Sequence, residues 1–447
     1  MSAEDTAQCE TAATSAYTTW SKTTALERSK ILKKIASLMV ENMEDLAKIV
    51  TLEAGKPLAE ARGEIQYALN FMEFYAEEAK RMNGDTIPSP MPGRRMMTIK
   101  QPVGPAAFVT PWNFPSAMIT RKLGPALAAG CTATIKPAEE TPMSALALCV
   151  LAKEAGLPDG VLNVVTVNRE DVVAVGTQFC HSEHYKKISF TGSTNVGKWL
   201  YREGANTMKR VSLENGGNAP FIVFGDADIE LALDALMAAK FRNAGQACIS
   251  ANRIYIHDSI YDIFAEKLVE RVAGRLKVGD GAAQGTTCGP LINNAAVKKV
   301  DGIVQDCISK GAKCLIGGAP HAELNAAGGC FYLPTVLTEV TRDMAPFTEE
   351  IFGPVAPLFR FTDEDAVVHE ANDSKLGLAA YACTSNVGRT FRMMEGLEAG
   401  LVGINEGAIS SEVAPFGGFK ESGLGREGSP EGLECFTETK YVNININ

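Results

Sequence analysis

The stretch AAFVTPWNFPSAMITRKLGPALAAGCTATIK, residues 106–136, reads as strand, loop, helix and strand in turn. Ala106–Thr110 and Thr132–Lys136 are short runs of apolar and β-branched residues, the composition of strands buried on both faces. Ile119–Ala129 between them has helical length, and Gly130 stands where a helix C-cap belongs. The alternation continues outward. Strands are expected at Val161–Val167, Lys187–Thr191 and Ala219–Phe224. Helices are expected around Ser144–Ala155, Asp171–Phe179 and Val196–Glu203, with Gly156 and Gly204 as further C-caps. Strands alternating with helices imply an α/β fold with a mostly parallel sheet and right-handed crossovers.

On the N-terminal side, Thr24 and Glu27 make a capping box. Ile31, Ile35, Leu38, Met39, Met43, Leu46 and Ile49 keep an apolar stripe, which predicts a helix from Thr24 to about Val50. On the C-terminal side, a second α/β stretch runs from about Gly217 to Phe416, with strands at Arg253–His257, Val355–Phe361, Leu378–Thr384 and Leu401–Asn405. Asp85–Pro102 is rich in proline and turn residues and then becomes extended. The tail Tyr441–Asn447 alternates Val442, Ile444 and Ile446 with Asn, the pattern of a half-buried strand that needs a partner subunit to cover it. There is no internal repeat.

A chain of 447 residues exceeds one ordinary core, so two or three domains are expected. Its 46% hydrophobic and 21% charged residues suit a soluble globular protein. A net charge of −10 disfavours nucleic acid and anionic membrane as partners, and no apolar run is long enough to span a bilayer. The acidic start MSAEDTAQCETAATSAY reads as neither signal peptide nor transit peptide, which points to the cytoplasm; a mitochondrial place would need a presequence ahead of it. Eleven cysteines are scattered from Cys9 to Cys435 with no C-x-x-C pair, which argues against a disulfide framework and against a metal site.

Some pattern matches mislead. Gly423, Gly425 and Gly428 fit the dinucleotide fingerprint, but no strand or βαβ unit precedes them. Residues 192–198 nearly fit a P-loop, but Trp199 occupies the position that must hold magnesium. His181 and His184 lack a third ligand and read as solvated surface.

Four segments carry chemistry together. Pro111-Trp112-Asn113-Phe114-Pro115 follows a strand and presents one amide between two prolines, suited to a developing oxyanion. Phe190-Thr191-Gly192-Ser193-Thr194 joins a strand to a helix N-terminus, which suits a pyrophosphate and equally a plain cap. Glu214-Asn215-Gly216-Gly217 offers a turn acid or a general base. Gly245-Gln246-Ala247-Cys248 offers a thiol nucleophile.

All four occur in the order and at about the separations of the aldehyde dehydrogenase superfamily, which the chain resembles from about Tyr17 to Val442. Glu349-Glu-Ile-Phe-Gly-Pro354 and Pro415-Phe-Gly-Gly418 extend the match. Within the superfamily, Ile119-Thr-Arg-Lys122, Phe241-Arg-Asn-Ala-Gly-Gln246, Glu412-Val-Ala-Pro-Phe-Gly-Gly418 and Ser422-Gly-Leu-Gly-Arg-Glu-Gly-Ser429 resemble succinate-semialdehyde dehydrogenases. The resemblance implies a Rossmann-type parallel-sheet cofactor domain over 1–84 and 103–216. It implies an α/β catalytic domain over 217–416 and a small β extension for oligomerisation over 85–102 and 430–447. A homodimer or homotetramer follows from it.

By the same resemblance, Cys248 is the nucleophile, Glu214 the base that activates the deacylating water, and Asn113 with the Cys248 N–H the oxyanion hole. Lys136 and Glu139 contact the adenosine ribose, Gly192 and Ser193 the pyrophosphate, and Glu350 the nicotinamide ribose. Phe352 and Trp112 lie beside them. Arg121, Arg242 and Ser410 match the positions that hold the substrate carboxylate, and a guanidinium grips a carboxylate bidentately. Glu139 would repel a 2′-phosphate, which favours NAD over NADP. The implied reaction takes an aldehyde, first of all succinic semialdehyde, to its acid. The alternatives are another ω-carboxy or aliphatic aldehyde, or a weakly active or non-catalytic family member. Three departures stand out: Asn215 where the family has Leu, a short N-terminus ahead of Tyr17, and Ser250 where some relatives have a second Cys.

Overall fold

The computed structural model describes residues 1–446. Two sheets carry the fold. In the first, Arg210–Glu214, Lys187–Thr191, Ala106–Val109, Ala133–Lys136 and Leu162–Val164 lie side by side and parallel. The two-residue strand Gly423–Leu424 adds antiparallel beside Arg210–Glu214. The chain winds outward in one direction from Ala106–Val109, then returns and winds in the other. This is the doubly wound order, and it opens a crevice where the direction reverses. The second sheet runs Lys313–Ile316, Thr335–Thr338, Val355–Phe361, Ala251–His257, Ala219–Val223, Ala379–Cys383 and Leu401–Ile404, parallel throughout except at the first pair. Parallel strands covered on both faces need apolar residues at successive positions. Phe221, Ile222, Val223, Ile254, Tyr255 and Ile256 supply them, each fully buried.

A third, antiparallel sheet joins Thr86–Ile87, Arg94–Pro102 and Thr437–Asn445, the last two paired from Thr437↔Pro102 to Asn445↔Arg94. The expected half-burial of the tail is not met within this chain: Ile444 and Ile446 are 43% and 52% exposed, because no layer covers that face. Among the described residues no helix is long and apolar enough to cross a membrane, and no cluster of His, Cys, Asp or Glu is arranged to hold a metal.

Several elements differ from expectation. The helix predicted over Thr24–Val50 is two, Ala25–Glu41 and Met43–Ala54, because Asn42 leaves helical geometry at φ −107°, ψ 18°. Its capping box forms as read, with Thr24 Oγ1 accepting from the Glu27 N–H at 3.2 Å. Helices Ala3–Trp20 and Leu58–Glu78 were not anticipated, nor was strand Arg210–Glu214, whose first residues are exposed and break the apolar run. Ala219–Val223 belongs to the second sheet rather than the first.

One turn decides where Cys248 sits. After helix Ile229–Phe241, Asn243, Ala244 and Gly245 all adopt left-handed backbone, at φ 53°, 53° and 74°. Residues with a Cβ pay about 1–2 kcal/mol each for this. The Asn243 N–H donates to Glu60 Oε2 at 2.8 Å, and its side-chain Nδ2 donates to the Asn113 carbonyl at 3.0 Å. At Gly245 an added Cβ would stand 2.1 Å from the Gly353 carbonyl oxygen. Gly245→Ala is therefore expected to lower stability by about 2–4 kcal/mol through strain and overlap together. Chemical denaturation reads it, and an unchanged midpoint would contradict this turn.

Candidate active site

The carboxyl ends of the first sheet face the amino ends of the second. Trp112 and Asn113 follow Ala106–Val109, Lys136 ends its strand, Gly192 and Ser193 follow Lys187–Thr191, and Glu214 ends Arg210–Glu214. From the other side, Cys248 precedes Ala251–His257 and Glu350 and Phe352 precede Val355–Phe361. The meeting is close. A Cβ on Gly217 would lie 2.4 Å from the Cys248 carbonyl oxygen, and one on Gly216 would lie 2.7 Å from Glu350 Oε2. The two glycines after the acid are what let the loop pass.

A cavity of about 220 Å³ opens between the edges. Cys248, Glu214 and Asn113 line it together, as do Trp112, Gly192, Ser193, Glu350 and Phe352. Cys248 is half-buried. Burial pushes its thiol up to about 12; Arg121 and Arg242 pull it down, while Glu350 and Glu214 add to the rise.

Glu214 is 2% exposed, and neither carboxylate oxygen meets a hydrogen-bond donor among the described residues. Burial, then the neighbouring Glu427 carboxylate, raises its carboxyl well above the usual range. Glu427 is itself buried. Burial works to raise it, but the Lys122 and Arg121 cations outweigh this and hold it below its ordinary value. Lys122 Nζ pairs with Glu427 and donates to Thr191 Oγ1 at 2.6 Å. Reading by sequence missed Lys122 and Glu427. The available signal was two successive cations in the wholly buried helix Ala117–Ala129, which require a buried anion.

The amide is braced from behind. Asn113 Nδ2 donates to the Gln246 carbonyl at 3.1 Å, and the Asn113 carbonyl accepts from Lys56 Nζ at 2.9 Å and from Asn243 Nδ2. Lys56 is buried, pairs with the buried Glu64 and lies 3.8 Å over the Phe114 ring. Glu64 also accepts the Ser116 N–H at 2.9 Å, which ties the loop to the start of helix Ala117–Ala129. The Asn215 amide turns away from the acid: its Nδ2 donates to the Glu421 carbonyl at 3.0 Å, while its Oδ1 meets no donor among the described residues. Glu214 keeps its place in the cavity wall.

Next to this cavity, helices Val172–His181 and Thr194–Gly204 enclose a slot of about 330 Å³, walled by Val109, Val172, Gly176, Val196, Trp199 and Leu200, with Lys136 at its edge. The slot is apolar and fits a flat heterocycle. Lys136 Nζ pairs with Glu139 Oε1 at 2.5 Å, and Ser193 holds the N-cap position of helix Thr194–Gly204 without a side-chain hydrogen bond to it, so the N-terminal N–H groups suit a pyrophosphate. Glu350 Oε1 accepts the Gly217 N–H at 3.1 Å, and burial pushes its carboxyl up to about 7. Phe352, held at φ 58°, meets Trp112 edge-on with ring centres 5.5 Å apart. Slot, helix start and carboxylate thus fit a dinucleotide in sequence.

A further cavity of about 200 Å³ is lined by Arg242 and Ser410, with Phe114, Tyr67 and the charged Lys56, Glu60 and Glu64. The Arg242 guanidinium has no hydrogen bond or ion pair among the described residues; its charge lies 5.2 Å from the Phe114 ring centre. Arg121 is placed differently. It is 1% exposed, sits 4.1 Å over the Phe416 ring, and its Nε pairs with Glu427 Oε2 at 2.8 Å. Arg242 thus lines this cavity, whereas Arg121 does not, although its charge acts on Cys248 more strongly than that of Arg242 and its Nη2 meets no partner among the described residues.

A family model described as the aldehyde dehydrogenase family matches residues 1–442. An NADP(+) succinate-semialdehyde dehydrogenase, GabD of Escherichia coli, is 52% identical over 100% of this chain and 91% of its own length. A glutarate-semialdehyde dehydrogenase of Pseudomonas putida is 53% identical over 100% of this chain and 91% of its own. The crystal structure of a succinate-semialdehyde dehydrogenase from Burkholderia pseudomallei superposes with a TM-score of 0.97 at 51% identity, covering 100% of this chain and 91% of that one. With the match running through thiol, amide and acid alike, the chain belongs to the aldehyde dehydrogenase family, whose members use a nicotinamide cofactor.

Proposed function

We propose that this chain oxidises succinic semialdehyde to succinate with NAD. The observation that carries this reading is the free Arg242 guanidinium beside Ser410 in a cavity next to the nucleophile. An alkyl aldehyde would leave that cation unpaired, whereas a terminal carboxylate accepts from it bidentately. The similarity to a succinate-semialdehyde dehydrogenase supports the same choice. Glutarate semialdehyde carries the same terminal group, so chain length is the open variable for measurement.

The Cys248 sulfur, as thiolate, bonds to the carbonyl carbon, and the carbonyl electron pair moves to oxygen. The Asn113 Nδ2 and the Cys248 N–H receive that alkoxide, at about 3–4 kcal/mol per well-placed donor. A bound nicotinamide supplies the hydride acceptor. Oxidation leaves a thioester on Cys248. Glu214 takes a proton from water as the water oxygen bonds to the thioester carbon, the C–S bond breaks, and the thiolate is restored. Burial and the Glu427 carboxylate raise the Glu214 carboxyl, which makes it a stronger base than a free glutamate. Lys136 and Glu139 would hold the adenosine ribose, Gly192 and Ser193 the pyrophosphate, and Glu350 the second ribose, with Phe352 and Trp112 alongside. Glu139 carries the preference for NAD, since its carboxylate accepts from a 2′-hydroxyl and repels a 2′-phosphate; the Escherichia coli relative is described as using NADP(+), so both cofactors belong in the assay.

We assign cofactor binding to 1–84 and 103–216, catalysis to 217–416, and subunit contacts to 85–102 and 430–447. The uncovered apolar face of the tail strand supports a homodimer or homotetramer.

Cys248→Ala should abolish NADH production from succinic semialdehyde while the thermal midpoint holds; residual turnover above about 1% of wild type argues against the nucleophile. Arg242→Ala should lower kcat/KM for succinic semialdehyde about 10–100-fold, the worth of a charge-assisted hydrogen bond, and butanal much less; equal losses on both aldehydes reject the carboxylate site. Inactivation of the cofactor-free protein by iodoacetamide should accelerate about tenfold per pH unit from pH 7 to 9, because a thiol near 12 gains thiolate in that proportion. A plateau below pH 8 would show a thiolate already formed.

A further inference from the structure

Part of the lining of the Arg242 cavity comes from one face of helix Leu58–Glu78, where Glu60, Glu64 and Tyr67 follow at spacings of four and three residues. Two of these are committed elsewhere. Glu64 pairs with Lys56 and accepts the Ser116 N–H, and Glu60 accepts the Asn243 N–H. Tyr67 is turned to a different use. Its phenol oxygen lies 2.5 Å from Ser410 Oγ, across 343 residues of chain, and both side chains line the cavity. Its ring is set edge-on to Phe71, centres 4.9 Å apart at 69°, which fixes the phenol's direction.

Each hydroxyl has one proton to give. A carboxylate has none, so any Ser410 contact with it must use the Ser410 proton. The short bond to Tyr67 then has only one consistent direction, phenol donating and serine accepting. We propose that Tyr67 is a specificity-determining, positioning residue: it donates to Ser410 Oγ and so aims the Ser410 O–H at the anionic end of the substrate, beside Arg242. This rests on the carboxylate reading of that cavity. Donation from the phenol also polarises the serine O–H, since linked hydrogen bonds strengthen one another. Without Tyr67 the serine rotor turns freely, and an aldehyde with no anion gains nothing from either hydroxyl.

The test compares kcat/KM for succinic semialdehyde and butanal, with the inhibition constant of succinate, in wild type, Arg242→Ala, Tyr67→Phe, Ser410→Ala and the Tyr67→Phe/Ser410→Ala double variant. The carboxylate-over-alkyl preference should fall about tenfold in each hydroxyl variant, the equivalent of one charge-assisted hydrogen bond. KM and the succinate constant should rise while kcat for succinic semialdehyde changes less than threefold. The double variant should lose no more than Ser410→Ala alone, because the tyrosine acts only through the serine. Losses that multiply in the double variant, or a Tyr67→Phe loss equal on both aldehydes, would overturn the proposal and mark Tyr67 as a packing residue. A preference kept in Tyr67→Phe but abolished in Arg242→Ala overturns the Tyr67 role alone. A wild type with no preference for the carboxylated aldehyde overturns the cavity reading beneath it.

Discussion

Everything in this molecule depends on two sheets meeting edge to edge, with the loop Gly216-Gly217 threaded between them. That loop passes within van der Waals overlap distance of any Cβ from the Cys248 carbonyl on one side and from Glu350 on the other. The acid belongs to one sheet and the thiol to the other, so their distance is set by this passage and by little else. Two residues without side chains keep the cavity narrow enough for a sulfur, an amide and a carboxylate to address the same atom.

The second constraint is charge kept out of water. Arg121, Lys122 and Glu427 form one buried cluster, and Lys56 with Glu64 forms another. Each sits behind a group that lines the cavity: the first behind Glu214, the second behind Asn113. Burying paired charges seldom stabilises a fold more than apolar packing would. Their value lies in direction. The Glu427 cluster sets the field in which Glu214 titrates, and the Lys56 pair fixes the carbonyl of Asn113, which lines the cavity. Arg242 lines an adjoining cavity with no hydrogen bond or ion pair among the described residues.

Much of this was legible in the sequence, and for physical reasons. Alternating apolar runs and capping glycines located the strands Ala106–Val109, Ala133–Lys136 and Lys187–Thr191 to within a residue, since buried parallel strands and helix ends have local signatures. Asn113, Glu214 and Cys248 stood out through ordered motifs that resemble the family rather than through any one local signature, and the structure brings the three to one cavity. The partners did not stand out. Lys122, Glu427, Lys56 and Glu64 act through contacts spanning up to 305 residues, which no local pattern encodes. Arg210–Glu214 hid because its first residues are exposed, and the break at Asn42 hid because an apolar stripe continues across it. The different surroundings of Arg121 and Arg242 also needed three dimensions: both are arginines near aromatic rings, and the first pairs with Glu427 while the second lines a cavity.

The ribbon formed by Arg94–Pro102 and Thr437–Asn445 has a bearing on handling the protein. Its second strand begins ten residues after Glu427, and between them Phe436 packs edge-on against Phe108 in the first sheet, centres 5.8 Å apart. The C-terminus is thus anchored to the counter-charge of Lys122 by a short, taut span. A protease nick, a trimmed end or a bulky fusion there acts on the segment next to the Lys122–Glu427 pair, and helix Ala3–Trp20 leans on the same ribbon through the Tyr17 hydroxyl, which donates to the Pro102 carbonyl at 3.2 Å.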